Sequence, residues 1–315
     1  MSTPIIFDCD TGVDDALAIL YGARNGADFV ACSVTHGNVP VQIGTRNTLT
    51  VLDSVGLDRV PVFAGAARPL AQPLRTAEHV HGEDGLGNTN PAPSPRSQDP
   101  SPAAVELVRL AAERPGELTL VPVGPLTNIA LALMLDENFA RNIKRVVLMG
   151  GAIGVAGNVG AAAEANTFCD PEAAQLVLDA PWEVTWVGLE ATMRTGLTSG
   201  MIERLAGAQT PEGKLLWNAM QFYMDLYEQN LGRRTCMLHD PLAMALALDP
   251  GLATYRHVPA AIELRGEHTR GQVVADLRPS ARLGSQRAGE GGVISFVDDL
   301  DVEEFHARFL AAFGV

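Results

Sequence analysis

The sequence predicts an α/β fold in which an open, mainly parallel β-sheet is flanked by helices, and it predicts a single domain over residues 1–315. Short apolar runs such as residues 5–7 (Ile-Ile-Phe) suit buried parallel strands. Segments with apolar residues at helical spacing follow these runs, and the alternation implies right-handed βαβ units. No internal repeat or clear linker divides the chain, and 47% hydrophobic residues suffice for a large core.

The composition argues against several classes of partner. A formal net charge of -14 at pH 7 repels phosphate backbones, so we expect no nucleic-acid partner. No apolar run reaches the length of a membrane span, and the first residues lack the pattern of a signal peptide, so we expect no membrane partner. Cys9, Cys32, Cys169 and Cys236 are scattered without a CxxC pair. This usage predicts reduced thiols and a cytoplasmic location.

The first strand–helix junction concentrates acidic residues. A strand ends near Asp8 and a helix begins near Val13, with Asp10, Asp14 and Asp15 around the same turn. Aspartate caps helix N-termini, which can explain one or two of these residues. Four carboxylates within eight positions repel one another, and a hard cation would relieve that repulsion. A metal site at the strand's carboxyl end is therefore the favoured interpretation.

Two other acidic motifs fit this junction less well. An EF-hand loop counted from Asp8 needs Gly at its sixth position and Glu at its twelfth, where Val13 and Ile19 stand. A phosphatase of haloacid dehalogenase type also has Asp-x-Asp after a strand. That family has Thr or Val two residues after the second Asp, where this chain has Gly12. The phosphatase is kept only as a weak alternative.

A long segment interrupts the regular alternation early in the chain. Residues 76–102 contain two histidines, His79 and His81, a Gly-rich stretch and then five prolines. A loop of this length is usually functional or mobile. The pattern leaves two interpretations open, a disordered surface connection and a lid that closes over a site.

The remaining elements follow from the same periodicities. Around that segment, the sequence predicts strands at residues 29–35, 60–63, 118–123, 146–149 and 182–187, helices at 41–55, 103–112, 129–135, 199–205, 212–230, 239–248 and 302–313, a further helix starting at Asp170-Pro171, and β-like segments at 260–264 and 272–276.

Polar residues follow several of the predicted strands. Because parallel strands end at one edge of a sheet, these side chains can converge there, although each alone is a weak signal. Asp240 before Pro241, for example, reads equally well as a helix cap. The set comprises Asp10, Asp14, Asp15, Asn38, Thr127, Asn128, Asn158, Glu164, Asn166, His239 and Asp240.

The same positions carry a resemblance to a known family. Residues 10–16 (Asp-Thr-Gly-Val-Asp-Asp-Ala) resemble the N-terminal signature of the nucleoside hydrolases, the inosine–uridine-preferring family with a Rossmann-like fold. The chain departs from many members at Ala165, where they carry an aromatic residue, and this bears on the pocket wall near the sugar. Further similar segments, in family order, are residues 81–87, 124–128, 149–152, 157–158, 163–166 and 239–243.

The resemblance implies Ca²⁺-dependent hydrolysis of the N-glycosidic bond of ribonucleosides. It implies that Asp10, Asp15, Asp240 and the main-chain carbonyl of Thr127 hold the ion, with Asp10 also the general base. Asn38 would orient the water, and Asp14, Met149, Asn158, Glu164 and Asn166 would bind the ribose. A homo-oligomer, a dimer or tetramer, rests on the same resemblance. An acid near the leaving base would help, and His239 is the candidate because its ordinary pKa lies near neutrality.

The choice of base is predicted from the aromatic residues. Trp182, Trp186 and Trp217 lie in a predicted strand and a helix, so core packing is their expected role. The groups expected near the base are instead donors, which suit a pyrimidine carbonyl. We therefore predict that uridine and cytidine are preferred, with inosine accepted. The donors are His81 (favoured over His79), Tyr223, Tyr227 and His239. A non-catalytic nucleoside- or ribose-binding protein is the alternative from another class.

Overall fold

A computed structural model describes residues 2–278 and 292–315, and within them the strands form one nine-stranded sheet. The strands are β1 (Thr3–Cys9), β2 (Ala27–Val34), β3 (Val62–Ala64), β4 (Thr119–Pro122), β5 (Arg145–Met149), β6 (Val184–Val187), β7 (Ala253–Ile262), β8 (Val273–Ala275) and β9 (Gly292–Leu300).

The strand order is β3-β2-β1-β4-β5-β6-β9-β7-β8. Every pair from β3 to β9 is parallel, whereas β7 pairs antiparallel with both β9 and β8. The order reverses between β1 and β4, since the chain adds β2 and β3 on one side before it crosses to the other. A crevice opens beyond the carboxyl ends of the strands at such a switch point, and ligands bind there in open α/β sheets.

Helices cover both faces of the sheet. They are α1 (Val13–Arg24), α2 (Val41–Ser54), α3 (Glu78–His81), α4 (Ala103–Glu113), α5 (Thr127–Leu135), α6 (Phe139–Asn142), α7 (Ala165–Cys169), α8 (Pro171–Asp179), α9 (Leu189–Thr192), α10 (Ser199–Leu205), α11 (Pro211–Leu231), α12 (His239–Leu248) and α13 (Val302–Ala312), with a 3₁₀ turn at Pro250–Leu252.

The two faces have separate hydrophobic cores because successive side chains of a strand point to opposite faces. In β1, Ile5 and Phe7 belong to the core beneath α1, α11, α12 and α13, and Ile6 belongs to the core beneath α4, α5 and α8. All three side chains are fully buried. The near-continuous apolar character of β1 thus follows from its central position, and it fixes the turn after the strand.

The predicted α/β architecture with its mainly parallel sheet is confirmed, but several elements differ. Strand β6 begins only at Val184, and the ring N–H of Trp182, which precedes the strand, donates to the carbonyl of Val177 at 2.9 Å. Strand β7 begins at Ala253, seven residues before the predicted start, because β9 pairs along its length. The sequence pattern did not indicate β9 or the short helices α3, α6, α7 and α9.

Within residues 2–278 and 292–315, no helix combines the length and the apolar character needed to cross a bilayer.

Candidate active site

The aspartates after β1 have distinct partners. Asp15 accepts hydrogen bonds from the backbone N–H groups of Asp10 (3.1 Å) and Gly12 (2.9 Å), so capping of α1 does account for this residue. The side-chain amide of Asn38 also donates to Asp15 at 3.0 Å, and its backbone N–H donates to Asp10 at 2.6 Å. Oδ1 of Asp10 is buried and has no hydrogen-bond partner within residues 2–278 and 292–315. Asn38 therefore holds both carboxylates and leaves one oxygen of Asp10 unused.

Asp8 lies outside this group. Its carboxylate accepts from the hydroxyl of Ser33 at 2.5 Å and from the amide of Asn128 at 2.8 Å. Burial raises the pKa of Asp8 to about 7. Asn128 in turn accepts from the backbone N–H of Ala66 at 2.8 Å. Asp8 and Asn128 thus connect the strand ends beside the cavity, and neither lines it.

Three carboxylates converge beyond the switch point. Asp14, Asp15 and Asp240 each present an oxygen within 4.8 Å of the other two. Burial first, and the neighbouring carboxylate Asp15 second, raise the pKa of Asp14 to about 8. Burial also raises the pKa values of Asp10 and Asp240 well above the usual range of aspartate. Neighbouring carboxylates repel one another when they are ionised, and a hard cation, which prefers oxygen ligands, would relieve this repulsion.

The residues present therefore suit a divalent hard cation. Two oxygens at the site, Oδ1 of Asp10 and Oδ1 of Asp14, are buried and have no hydrogen-bond partner among the residues that the structure describes. The hydroxyl of Thr127 donates to Asp170 at 2.7 Å and lies 3.0 Å from Nε2 of His36, so its side chain is already engaged. This leaves the Thr127 carbonyl as its only potential ligand atom. The convergent set contains Asp15 and Asp240 from the predicted ligands, together with Asp14, which the resemblance assigned to ribose.

The segment after β5 builds a second wall. Glu164 caps α7, accepting from the backbone N–H of Asn166 at 2.9 Å, and also accepts from that of Gly151 at 2.8 Å. The side-chain amide of Asn166 donates to the carbonyl of Val123 at 2.7 Å, which ties this segment to the end of β4. Asn158 accepts from the backbone N–H of Ala165 at 3.0 Å. With Met149, these side chains line the cavity.

The opposite wall consists of helix side chains bonded to one another. The hydroxyl of Tyr227 lies 2.8 Å from Nε2 of His239 and 3.4 Å from the hydroxyl of Tyr223. The rings of Tyr223 and His81 stack with centroids 5.3 Å apart. Nδ1 of His239 lies 2.8 Å from the hydroxyl of Thr192. Residues from α3, α9, α11 and α12 are thus joined in one hydrogen-bonded and stacked chain.

Both histidines of this wall are neutral at ordinary pH. Burial lowers the pKa of His239 to about 4 and that of His81 to about 3. The backbone N–H of Val13 donates to Nδ1 of His81 at 3.1 Å. Nδ1 of His81 is therefore an acceptor, and the ring proton of His81 is on Nε2.

The segment that carries His81 is tied down, so the disordered interpretation of residues 76–102 does not hold for this part. Asp84 accepts from the backbone N–H groups of Leu86 (2.8 Å), Asn88 (2.7 Å) and Asn90 (2.7 Å). The buried amide of Asn47 donates both to the carbonyl of Asp84 at 2.8 Å and to that of Thr11 at 3.1 Å. His81 is buried, whereas His79 stands exposed at the rim.

These walls enclose a cavity of about 480 Å³. The sequence did not single out Arg75 and Phe168 at its mouth, where the guanidinium carbon of Arg75 lies 5.2 Å from the ring centre of Phe168. It also missed Asn230 in the cavity and Thr192 behind His239, because no motif or strand end marks them. The cavity lining includes Asp10, Asp14, Asn38, His79, His81, Met149, Asn158, Glu164, Asn166, Tyr223, Tyr227, His239 and Asp240.

Comparison with known proteins gives consistent matches. Residues 5–307 match the family model described as inosine-uridine preferring nucleoside hydrolase. The chain is 38% identical over 281 residues to the protein of that name from Crithidia fasciculata, covering 88% of this chain and 89% of the relative. It is 40% identical over 281 residues to the pyrimidine-specific ribonucleoside hydrolase RihA of Shewanella woodyi, with the same coverage.

A solved structure gives the same picture. The fold matches a plant nucleoside hydrolase, the PpNRh1 enzyme, with a TM-score of 0.94, 32% identity and 99% of both chains covered.

Proposed function

This chain belongs to the family of inosine-uridine preferring nucleoside hydrolases, and we propose that it is a Ca²⁺-dependent enzyme that prefers pyrimidine ribonucleosides. Hydrolysis of the N-glycosidic bond to ribose and free base follows from the family. This membership removes the two alternatives, a non-catalytic binding protein and a phosphatase. The metal, the preferred base and the residue roles are the proposal.

Asp10 is the general base. Its Oδ2 accepts from the backbone N–H of Asn38, whereas its Oδ1 has no partner in the described part of the chain and can take a proton from water. The water oxygen then bonds to the anomeric carbon while the C1′–N bond breaks and its electron pair leaves with the base. Asn38 orients the water by fixing Asp10 and Asp15 together.

Asp10, Asp15, Asp240 and the Thr127 carbonyl hold the Ca²⁺ ion. When bound, it neutralises the carboxylates and lowers the pKa of a water molecule in the site. The convergence of the Asp15 and Asp240 carboxylates and the all-oxygen donor set support this assignment.

The second wall binds the ribose. Asp14, Asn158, Glu164 and Asn166 meet its hydroxyl groups, and Met149 lies beside the sugar. Glu164 is buried, and its carboxylate faces a sugar that becomes electron-poor as the bond breaks. A negative group held in place there stabilises the oxocarbenium-like transition state.

The leaving base is bound and protonated on the helix wall. The observation that carries this proposal is the 2.8 Å contact between Tyr227 and His239, which sets a donor pair at the cavity opposite the carboxylates. Tyr223 and His81 add further hydrogen-bonding groups. Within the described residues, no tryptophan lines the cavity, and Trp186 is fully buried in the core. Donors suit the carbonyl groups of uracil and cytosine, and two relatives are named for uridine or pyrimidine hydrolysis.

The test compares kcat/KM for uridine and inosine, with released ribose as the product measured. We expect the higher value for uridine, and a large loss of uridine hydrolysis in His239→Ala and His81→Ala. A higher value for inosine in the parent would overturn the preference. Unchanged uridine hydrolysis in both variants would remove the two histidines from the mechanism.

We also propose a cytoplasmic homo-oligomer, a dimer or tetramer. All four cysteines are free thiols, which suits a reducing compartment. Sedimentation equilibrium tests the assembly, and a mass near the 33.4 kDa of one chain would contradict it.

A further inference from the structure

Thr192 contacts His239 on the side of the ring opposite to Tyr227. It is the last residue of α9 and is completely buried. Its hydroxyl lies 2.8 Å from Nδ1 of His239, and within the described residues this is the only partner of that hydroxyl. Nε2, on the other side of the same ring, lies 2.8 Å from the hydroxyl of Tyr227. His239 is thus held between two hydroxyl groups.

The two hydroxyl groups are not equivalent. A neutral imidazole has one donor and one acceptor nitrogen, so the ring donates to one hydroxyl and accepts from the other. If Nδ1–H donated to Thr192, the buried Thr192 hydroxyl proton would have no acceptor, which is costly. Tyr227 has no such restriction, because its hydroxyl also borders the cavity and Tyr223. The arrangement with the lower cost has the Thr192 O–H donating to Nδ1 and Nε2–H donating to Tyr227.

We propose that Thr192 is a positioning residue that fixes His239 in its Nε2–H tautomer and thereby directs the hydroxyl proton of Tyr227 toward the cavity. The consequence for catalysis depends on the function proposed above. Tyr227 then gives its proton to the nitrogen of the leaving base, which has received the electron pair of the broken C1′–N bond. The negative charge left on the Tyr227 oxygen is stabilised by the hydrogen bond from Nε2–H. After the base has left, solvent water carries to Tyr227 the equivalent of the proton that Asp10 took from the attacking water, and both residues regain their starting states.

The surroundings explain why a fixed donor is needed. Burial raises the pKa of Tyr227 above that of free tyrosine, so its anion is disfavoured without help. A charged imidazolium would donate from Nδ1 as well as from Nε2, and this would leave the proton of the buried Thr192 hydroxyl without an acceptor. A neutral ring with its proton on the correct nitrogen is the form that can assist.

The direct test is the tautomer of His239, read from long-range ¹H–¹⁵N correlation spectra of the full chain labelled in histidine. The signals are assigned by their loss in His239→Gln. We expect Nε2–H in the parent and in Thr192→Ser, which keeps the hydroxyl, and loss of that single tautomer in Thr192→Val. Nδ1–H in the parent overturns the proposal, even if Thr192→Val fails to fold. An unchanged Nε2–H signal in folded Thr192→Val overturns it as well.

Kinetics supply the second readout. We expect Thr192→Val to lower kcat for uridine about tenfold, which is less than the rate enhancement that a general acid usually supplies, and to change KM little. Thr192→Ser should keep a kcat near that of the parent. Thr195→Val is the matched control, because Thr195 is equally buried but its hydroxyl bonds to the carbonyl of Thr192 and the N–H of Leu238. It should lower the melting temperature without changing the tautomer. If the parent hydrolyses no nucleoside, the proposed function fails while the tautomer result stands.

Discussion

The two walls of the cavity are built in different ways. On the wall proposed to bind the sugar, here called the sugar side, carboxylates and amides are held by backbone groups, as when Glu164 accepts from the N–H groups of Gly151 and Asn166. On the wall proposed to bind the base, here called the base side, side chains from four helices hold one another, as in the contacts of His239 with Tyr227 and Thr192.

This difference predicts different responses to change. A side chain bonded to the backbone keeps its position when a neighbouring side chain is replaced. A side chain that is hydrogen-bonded to another side chain loses its fixed orientation when that partner is replaced. We therefore expect replacements on the sugar side to abolish what the replaced residue does and leave its neighbours in place, and replacements on the base side to weaken the roles of several residues partly.

The largest effect is expected from Asp10→Ala. The variant loses the general base and a proposed metal ligand together, so kcat should fall by at least about 10³-fold. Asp8→Asn is the matched control, because Asp8 is just as buried but faces Ser33 and Asn128 outside the cavity. It should keep most of the activity. A kcat near the parent value in Asp10→Ala would contradict the role of this residue.

In the metal-free protein, the two walls are expected to contribute to folding stability with opposite dependences on pH. Metal-free, Asp14 has a pKa raised to about 8, so the folded chain holds this proton longer than the unfolded chain does. Its contribution is complete below the unfolded pKa of about 4 and is lost as the pH rises through about 8. His239, with its pKa lowered to about 4, behaves oppositely. Its contribution is present above the unfolded pKa of about 6.5 and is lost as the pH falls toward 4.

Chelation should therefore abolish activity, with Ca²⁺ restoring it, and should lower the melting temperature most at high pH. Added Ca²⁺ at about a hundredfold excess over Kd should stabilise the fold by about 2.7 kcal/mol. We expect a larger gain at pH 8 than at pH 5.5 in thermal unfolding scans. Asp14→Asn should remove the loss of stability at high pH in the metal-free protein. Equal gains at both pH values, or full activity after exhaustive demetallation, would rule out this account.

The smallest effects are expected within the tyrosine pair. Tyr227→Phe removes the hydroxyl that contacts His239, and we expect kcat for uridine to fall about tenfold to a hundredfold. Tyr223→Phe removes only the longer 3.4 Å contact and leaves the stacking on His81, so a loss of about twofold is expected. Steady-state rates on uridine distinguish the two. Equal losses would show that the pair acts as one unit.

The sequence pattern also indicates one side of the cavity better than the other. The turn after β1 and the segment at residues 124–128 were located correctly, because each lies at the end of a strong strand pattern and parallel strands end at one edge. Residues 163–166 lie at the start of α7, well beyond the end of β5, and only the resemblance to the family singled them out. The side chain of Asp8 was grouped with the others although it lies on the far side of the strand end. Alternation along β1 decides its direction, and the carboxyl-rich motif conceals that.

The sequence by itself determined the α/β fold and the family, and it predicted the residues proposed to bind the sugar, since all of these depend on local periodicity and on motifs read along the chain. The tertiary structure decided how the base side is assembled. Thr192 and His239 are 47 residues apart, and α9 is a four-residue helix with no sequence signal. Their contact exists only because α9, α11 and α12 pack around one cavity, and packing between distant helices leaves no local pattern to read.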